Sequence, residues 1–258
     1  MSASLRDLAD ALVDLALPRF CVGCRAPGRW LCPACAPALG GPAQRRDPRP
    51  RPAGLPPVHT AGSYRGVHRG AVLAHKERGV RSLTRPLGRA LAAAVQSVLD
   101  EVGAAPGTPV ALVAVPTSRA AIASRGDDTV ALLAAAAAAS LRRQGLPVTV
   151  VKALRPTRRR ADQAGLSAAA RAANLAGAFA LSRRGTRRLR RALGAECGGL
   201  VVVVDDIVTT GATARAAVAA LAARGVTVAG VAAVAAPVRR PSGRTEPGDR
   251  PPSGAGKG

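Results

Sequence analysis

Residues Val201 to Ala214 read VVVVDDIVTTGATA. Four consecutive β-branched side chains predict a strand buried on both faces, and it ends in two adjacent carboxylates, Asp205 and Asp206. A turn of small and hydroxyl residues follows (Thr209, Thr210, Gly211, Ala212 and Thr213), and the alanine-rich run Ala212 to Arg224 predicts a helix without a breaker. The order is strand, acidic pair, turn, helix. In open α/β sheets ligands sit beyond the carboxyl ends of the strands. A helix N-terminus offers N–H groups and a positive dipole end to a phosphate. Gly211 lets the backbone approach an anion without a Cβ, and the threonine hydroxyls can donate to the same phosphate. Carboxylates repel phosphate, so Asp205 and Asp206 face something else; a vicinal sugar diol offers the O–H donors they accept. The loop reads as a site for a ribose 5-phosphate. The competing interpretation, a capped helix after a glycine turn, accounts for one Asp and one Gly but not for the whole run.

This segment resembles the 5-phosphoribosyl diphosphate (PRPP) motif of type I phosphoribosyltransferases. The resemblance implies PRPP or ribose-phosphate binding and does not by itself imply turnover.

A length of 258 residues fits one or two domains. Aromatics are confined to Phe20, Trp30, Tyr64 and Phe179, and the only lysines are Lys76, Lys152 and Lys257. The enrichment in Arg, Ala, Pro and Gly looks like a GC-rich coding bias, which weakens the functional weight of the net charge of +23. A basic surface still favours polyanions such as phosphates, nucleic acid or anionic lipid; a merely solvated basic surface is the alternative. Ser4 to Leu17 is amphipathic and lacks the ordered parts of a secretory signal. The longest apolar run, Val130 to Leu141, is too short to span a bilayer. No transmembrane segment and a cytoplasmic location are expected.

Near the start, Cys21-Val-Gly-Cys24 and Cys32-Pro-Ala-Cys35 stand seven residues apart. Paired CxxC units supply four thiolates to a structural Zn²⁺, here in a small ribbon or knuckle. Two disulfides are the competing reading and need an oxidising compartment. Cys197 stands alone before a Gly-Gly turn and reads as a small buried hydrophobe.

The chain divides into an N-terminal helix and cysteine motif (1–39), a Pro/Arg-rich linker (40–57), an α/β body (58–236) and a disordered Pro/Gly/Ser/Arg tail (237–258). In the body, Leu83 to Leu99 predicts a helix with Leu87, Leu91, Val95 and Val98 on one face. Val110 to Val115 predicts a strand, Asp127 to Arg143 a helix, and Val148 to Val151 a strand. Leu154 to Gly165 is polar and unpatterned, Ser167 to Asn174 a short helix, Ala178 to Leu181 a strand, and Ser182 to Arg191 a basic stretch. Leu200 to Asp205 and Val226 to Val234 are the last two strands. Strands alternating with helices indicate a mostly parallel sheet.

A PRPP-type ligand carries a second anionic group, so a second anion-binding turn is expected at another strand end. Val113-Ala-Val-Pro-Thr-Ser-Arg119 is in position: Ser118 can donate a hydroxyl and Arg119 can pair with phosphate in a fork. A plain polar loop end is the alternative. Arg155 to Gln163, with Arg158, Arg159 and Arg160, is a candidate lid over a water-sensitive centre, or a solvated charge run.

Taken in order, the CxxC pairs, Tyr64-x-Gly66 leading to Lys76, Pro116-x-Ser118-Arg119, Arg125-Gly126, Arg155-x-Thr157, Gln163-x-x-Leu166, Arg171-x-x-Asn174, Phe179 and the acidic-pair loop resemble the ComF family. The resemblance spans nearly all of Leu17 to Val234. It implies a type I phosphoribosyltransferase fold, a mostly parallel α/β sheet flanked by helices, behind a small N-terminal zinc ribbon. It also implies PRPP or a nucleotide as ligand, Mg²⁺ with PRPP, and a link to natural transformation, with single-stranded DNA and competence proteins as partners. The chain departs from the family pattern at Asp127 and Asp128, where an aromatic and an Asn are usual, and at Ala114, where a proline is usual. The two acids are expected to add negative charge near the diphosphate. On this reading Asp205 and Asp206 hold the ribose diol and help stabilise a cationic ribose. Thr209, Thr210, Gly211, Ala212 and Thr213 hold the 5-phosphate; Ser118 and Arg119 hold the diphosphate. The rival classes are a single-stranded-DNA-binding protein that keeps the fold without catalysis and a PRPP-sensing regulator. With so few aromatics to stack on bases, DNA binding would be mainly electrostatic.

Overall fold

The structure is a computed structural model that describes residues 19–117, 122–123, 126–157, 177–194 and 198–237. The expectations for Ser4 to Leu17, Ser118, Arg119, Arg125, Arg158 to Gln163, Ser167 to Asn174, Cys197 and the tail beyond Pro237 lie outside these residues.

Eight strands are described: β1 (Gln44–Arg45), β2 (Val58–Ser63), β3 (Val110–Ala114), β4 (Val148–Val150), β5 (Leu154–Pro156), β6 (Phe179–Leu181), β7 (Leu200–Ile207) and β8 (Gly230–Ala236). The helices are α1 (Ala36–Leu39), α2 (Gly66–Glu77), α3 (Thr84–Glu101), α4 (Thr129–Arg143), α5 (Arg183–Leu193) and α6 (Ala212–Ala222). A six-stranded sheet has the order β1-β2-β8-β7-β3-β4. Only β1 is antiparallel; β2, β8, β7, β3 and β4 run parallel. β5 and β6 form a separate antiparallel pair.

The valine run sits at the centre of this sheet and is buried on both sides, as its composition requires. Its period-2 alternation sends Val202 and Val204 to one face, with Leu87, Leu91 and Val95 of α3 and Leu133 and Leu141 of α4. Val201 and Val203 face the other side, with Ala217 and Leu221 of α6, Leu189 of α5, and Phe179. α3 and α4 pack closely because α3 carries glycine at the crossing: a Cβ on Gly88 would come 2.4 Å from Ala136 Cβ. The apolar stripe expected on α3 is buried throughout. β7 extends two residues beyond the predicted end, so Ile207 still pairs with Ala235 on β8.

Four expectations need correction. The stretch 154–165, read as unpatterned, begins with strand β5, paired antiparallel to β6. The stretch 40–57 contains strand β1, paired antiparallel to β2. Asp47 Oδ1 accepts the Val58 N–H at 2.9 Å, and Arg45 pairs with both Asp47 (3.0 Å) and Glu101 (2.8 Å). Pairing and charge hold this stretch where composition alone suggested a linker. The basic stretch 182–191 is helix α5, with Ser182 as N-cap accepting the Gly185 N–H at 2.9 Å. Its apolar periodicity is nearly invisible because Leu189 and Gly185 are its only buried residues. The last strand begins at Gly230, not Val226, and ends at Ala236.

Candidate functional site

The four cysteines converge. All four Sγ atoms lie within 4.8 Å of one another, with Cys24 and Cys32 Sγ 3.6 Å apart. None of the four is in a disulfide, so the competing disulfide reading is not what the structure adopts. Zn–S bonds of about 2.3 Å in a tetrahedron place sulfurs about 3.8 Å apart, and the donor set and spacing fit that ion. Cys21 is buried; burial pushes its thiol up, but N–H groups of Cys24, Cys32 and Gly23 outweigh this and bring it down to about 6. Cys35 is pushed up to about 12, first by its hydrogen bond with Cys32. The Cys35 thiol therefore keeps its proton unless a cation joins the cluster. The knuckle sits on α2: a Cβ on Gly70 would meet Val22 O at 2.5 Å, and one on Gly23 would meet Cys35 Sγ at 2.7 Å and Val67 at 2.8 Å.

Asp205 and Asp206 stand at the carboxyl end of β7, only 8 % and 4 % exposed. The Asp206 N–H donates to Asp205 Oδ1 at 2.8 Å. Burial, and then the neighbouring Asp206 charge, raise Asp205 well above the usual carboxylate range. Asp206 is ion-paired by distance, with Lys76 Nζ 2.7 Å from its Oδ2, but the contact lacks hydrogen-bond geometry and that buried oxygen accepts no hydrogen bond among the described residues. Lys76 and His75 occupy the last turn of α2. Buried His75 contacts Thr84 Oγ1 through Nε2 at 3.0 Å, and its ring is held below its ordinary value by burial first and by Arg81, against an opposing pull from Asp206.

Beyond the acids, residues 205 and 207–214 line a concavity of about 30 Å³. Thr209 and Thr210 are exposed and Thr213 is half-buried. Ala212, Thr213 and Ala214 open α6, and N–H groups in a first helical turn have no carbonyl within the helix. The Ala212 N–H makes a long contact of 3.4 Å with Thr210 Oγ1. Gly211 is the N-cap with φ +74°, a left-handed conformation. A Cβ there would meet Leu55 Cδ2 at 2.8 Å and Pro48 Cγ at 2.9 Å. The requirement for glycine thus arises from backbone handedness and from the 48–55 segment packed against the loop, a reason distinct from anion approach. The same segment is tied to α6 by the Arg215 side chain, which donates to Ala53 O at 3.0 Å.

At the end of β3, Thr117 donates its hydroxyl to Asp128 Oδ1 at 2.9 Å, and the same oxygen accepts the Ala131 N–H at 3.2 Å as the cap of α4. Asp127 pairs with Arg81. The negative charge expected from these two acids is therefore taken up locally, by a helix N-terminus and an arginine. Ser118 and Arg119, next in the chain, lie outside the described residues.

Sequence reasoning assigned no role to His75, Lys76 or Arg81. A signal for Lys76 was present: lysine is rare here beside arginine, so its use over arginine marks the position. Among the described residues no helix is long and apolar enough to cross a membrane.

No curated protein matches the chain. A family model described as the phosphoribosyl transferase domain matches residues 84–251, well over half of the chain. The match takes in α3, the end of β3, the acidic pair and the 209–213 turn, and it leaves out the cysteine knuckle and α2. With this match, and with the acidic pair and small-residue turn at the end of a central parallel strand, the chain belongs to the phosphoribosyl transferase domain family.

Proposed function

We propose that the protein binds PRPP, or a nucleotide, at 205–213 and, given an acceptor base, transfers the phosphoribosyl group with release of diphosphate. The observation that carries the reading is the juxtaposition, in one turn, of two buried carboxylates with a concavity that opens on a helix N-terminus. N–H groups and hydroxyls suit the 5-phosphate; the carboxylates suit the diol and oppose the positive charge that grows at C1 as the C1–O bond breaks. The electron pair of that bond leaves with the diphosphate, and the nucleophile forms the new bond to C1. Mg²⁺ would accompany the diphosphate, whose charge it offsets. Ser118 and Arg119 are proposed to meet that diphosphate, and 155–163 to close over it. The ComF-like order of motifs supports placing the chain in that branch, with residues 58–236 as the transferase body, 1–39 as a zinc-bearing N-terminal piece and the cytoplasm as its place. Calorimetry with PRPP, with and without Mg²⁺, followed by a diphosphate-release assay over a panel of bases, tests the reading. Binding without release under any base points to a PRPP-sensing regulator; no binding rejects the reading.

A second reading, electrostatic binding of single-stranded DNA in a role such as DNA uptake, is favoured by α5. Its Arg183, Arg184, Arg187, Arg188, Arg190 and Arg191 are all exposed, while Gly185 and Leu189 face inward. Such a face contacts phosphates without reading sequence. Its affinity should fall steeply with salt; binding that is indifferent to salt rejects it.

A further inference from the structure

We propose that Lys76 is the resident cation of the acidic pair: it takes the place beside Asp206 that a divalent ion would need, so that a ribose phosphate monoester binds without metal. The inference rests on the proposed ligand reading only for where the ribose sits. Its first support is the ion pair itself, 2.7 Å between Lys76 Nζ and Asp206 Oδ2, at a carboxylate almost wholly withdrawn from solvent. A divalent ion at this carboxylate would have to displace the ammonium or share one oxygen with it. The other acid is poorly placed to help, since Asp205 is as deeply buried and turns Oδ1 to the Asp206 N–H. Mg²⁺ demands several oxygen ligands in near-octahedral array, and with the ammonium against Asp206 Oδ2 the two carboxylates do not present that set. The residues at the pair therefore do not fit a resident Mg²⁺; an ion carried in on a diphosphate is a separate matter.

Lys76 is also held where it is. It sits in the last turn of α2, where a cation is favoured by the helix dipole. The preceding residue, His75, is buried against Thr84, and the cysteine knuckle presses on the same helix at Gly70. An ammonium carries three donors and no acceptor, so one group can serve Asp206 and a ligand oxygen together. The lysine comes from outside the segment matched by the family model, which starts at residue 84. The piece of chain before that segment thus completes the site with a charge.

The test uses the full-length, zinc-loaded protein in metal-depleted buffer, with Mn²⁺ as probe and the free-ion electron paramagnetic resonance signal as readout. Wild type and Lys76→Arg should take up no Mn²⁺ at the acidic pair. Lys76→Met should gain a Mn²⁺ site, and Lys76→Met with Asp206→Asn should lose it again. Lys76→Gln, which keeps an N–H donor toward Asp206, repeats the comparison if the methionine variant does not fold. Equal Mn²⁺ uptake by wild type and the neutral variants overturns the proposal. A second arm titrates ribose 5-phosphate with and without Mg²⁺. Wild-type affinity should be unchanged by the ion, and Lys76→Met should weaken metal-free binding about tenfold or more, the worth of a hydrogen bond to a charged group. A wild type that needs Mg²⁺ for this monoester also overturns it. If the monoester binds under no condition, the ligand reading fails, and the Mn²⁺ arm still decides the place of Lys76.

Discussion

Asp205→Asn should stabilise the fold and weaken the site. In the native protein this carboxyl is 8 % exposed, adjoins a second acid in sequence, and is held well above its usual range by burial and by that neighbour. The amide that replaces it keeps the hydrogen bond accepted from the Asp206 N–H at 2.8 Å. It removes a like charge from beside Asp206, and the Lys76–Asp206 pair remains. Removing a strained functional group of this kind gains about 1–2 kcal/mol, and at about 2–4 °C per kcal/mol for a body of this size the melting temperature should rise by about 2–8 °C at neutral pH. The sign with pH follows from linkage. A carboxyl whose folded pKa is raised contributes stability that is fully present below its unfolded value of 3.8 and is lost as pH rises through the folded value. The advantage of the variant should therefore be largest at neutral pH and shrink toward pH 4. Melting curves across that range check it, with ribose 5-phosphate titration as the functional readout. A variant less stable than wild type at neutral pH, or an advantage that does not change with pH, would refute the argument.

The chain should carry about one zinc per molecule through Cys21, Cys24, Cys32 and Cys35, and Cys24→Ser should lose it while the α/β body keeps its circular dichroism, because metal binding supplies the folding free energy of so small a knuckle; zinc-free protein with two intact disulfides contradicts this. Gly211→Ala should cost about 1–3 kcal/mol, since it puts a Cβ on a φ of +74° and against Leu55 and Pro48; an unchanged urea midpoint rejects the packing argument. His59, His68 and His75 are all held below 6.5, mainly by burial. Each contributes stability that is present above 6.5 and is lost as pH falls toward the lowered folded value, because the unfolded chain takes up the protons first. Urea midpoints in the Asp205→Asn background should drop between about pH 7.5 and about pH 5.5, and a flat profile counts against buried neutral rings.

The sequence by itself determined whatever is encoded between neighbours in the chain. The valine strand, acidic pair, threonine turn and alanine helix are contiguous, so their order is legible and the structure keeps it as β7, the pair, the turn and α6. The stripe of Leu87, Leu91, Val95 and Val98 and the CxxC spacing are legible for the same reason. Charge runs defeated that reading. Arginines hid helix α5, whose inward face is little more than Gly185 and Leu189. The prolines of 40–57 hid a segment held by one short strand, by the Arg45–Glu101 ion pair, by Asp47 accepting the Val58 N–H, and by contact with the 209–213 turn. What only the tertiary structure decided is who meets whom across long stretches of chain. Lys76 reaches Asp206, Arg81 takes up Asp127, and the side-chain position of Gly211 faces Leu55. No local periodicity specifies such meetings. They follow from strand order and from how closely helices and loops approach over the sheet. Burial then makes them count, because a charge withdrawn from water needs a partner.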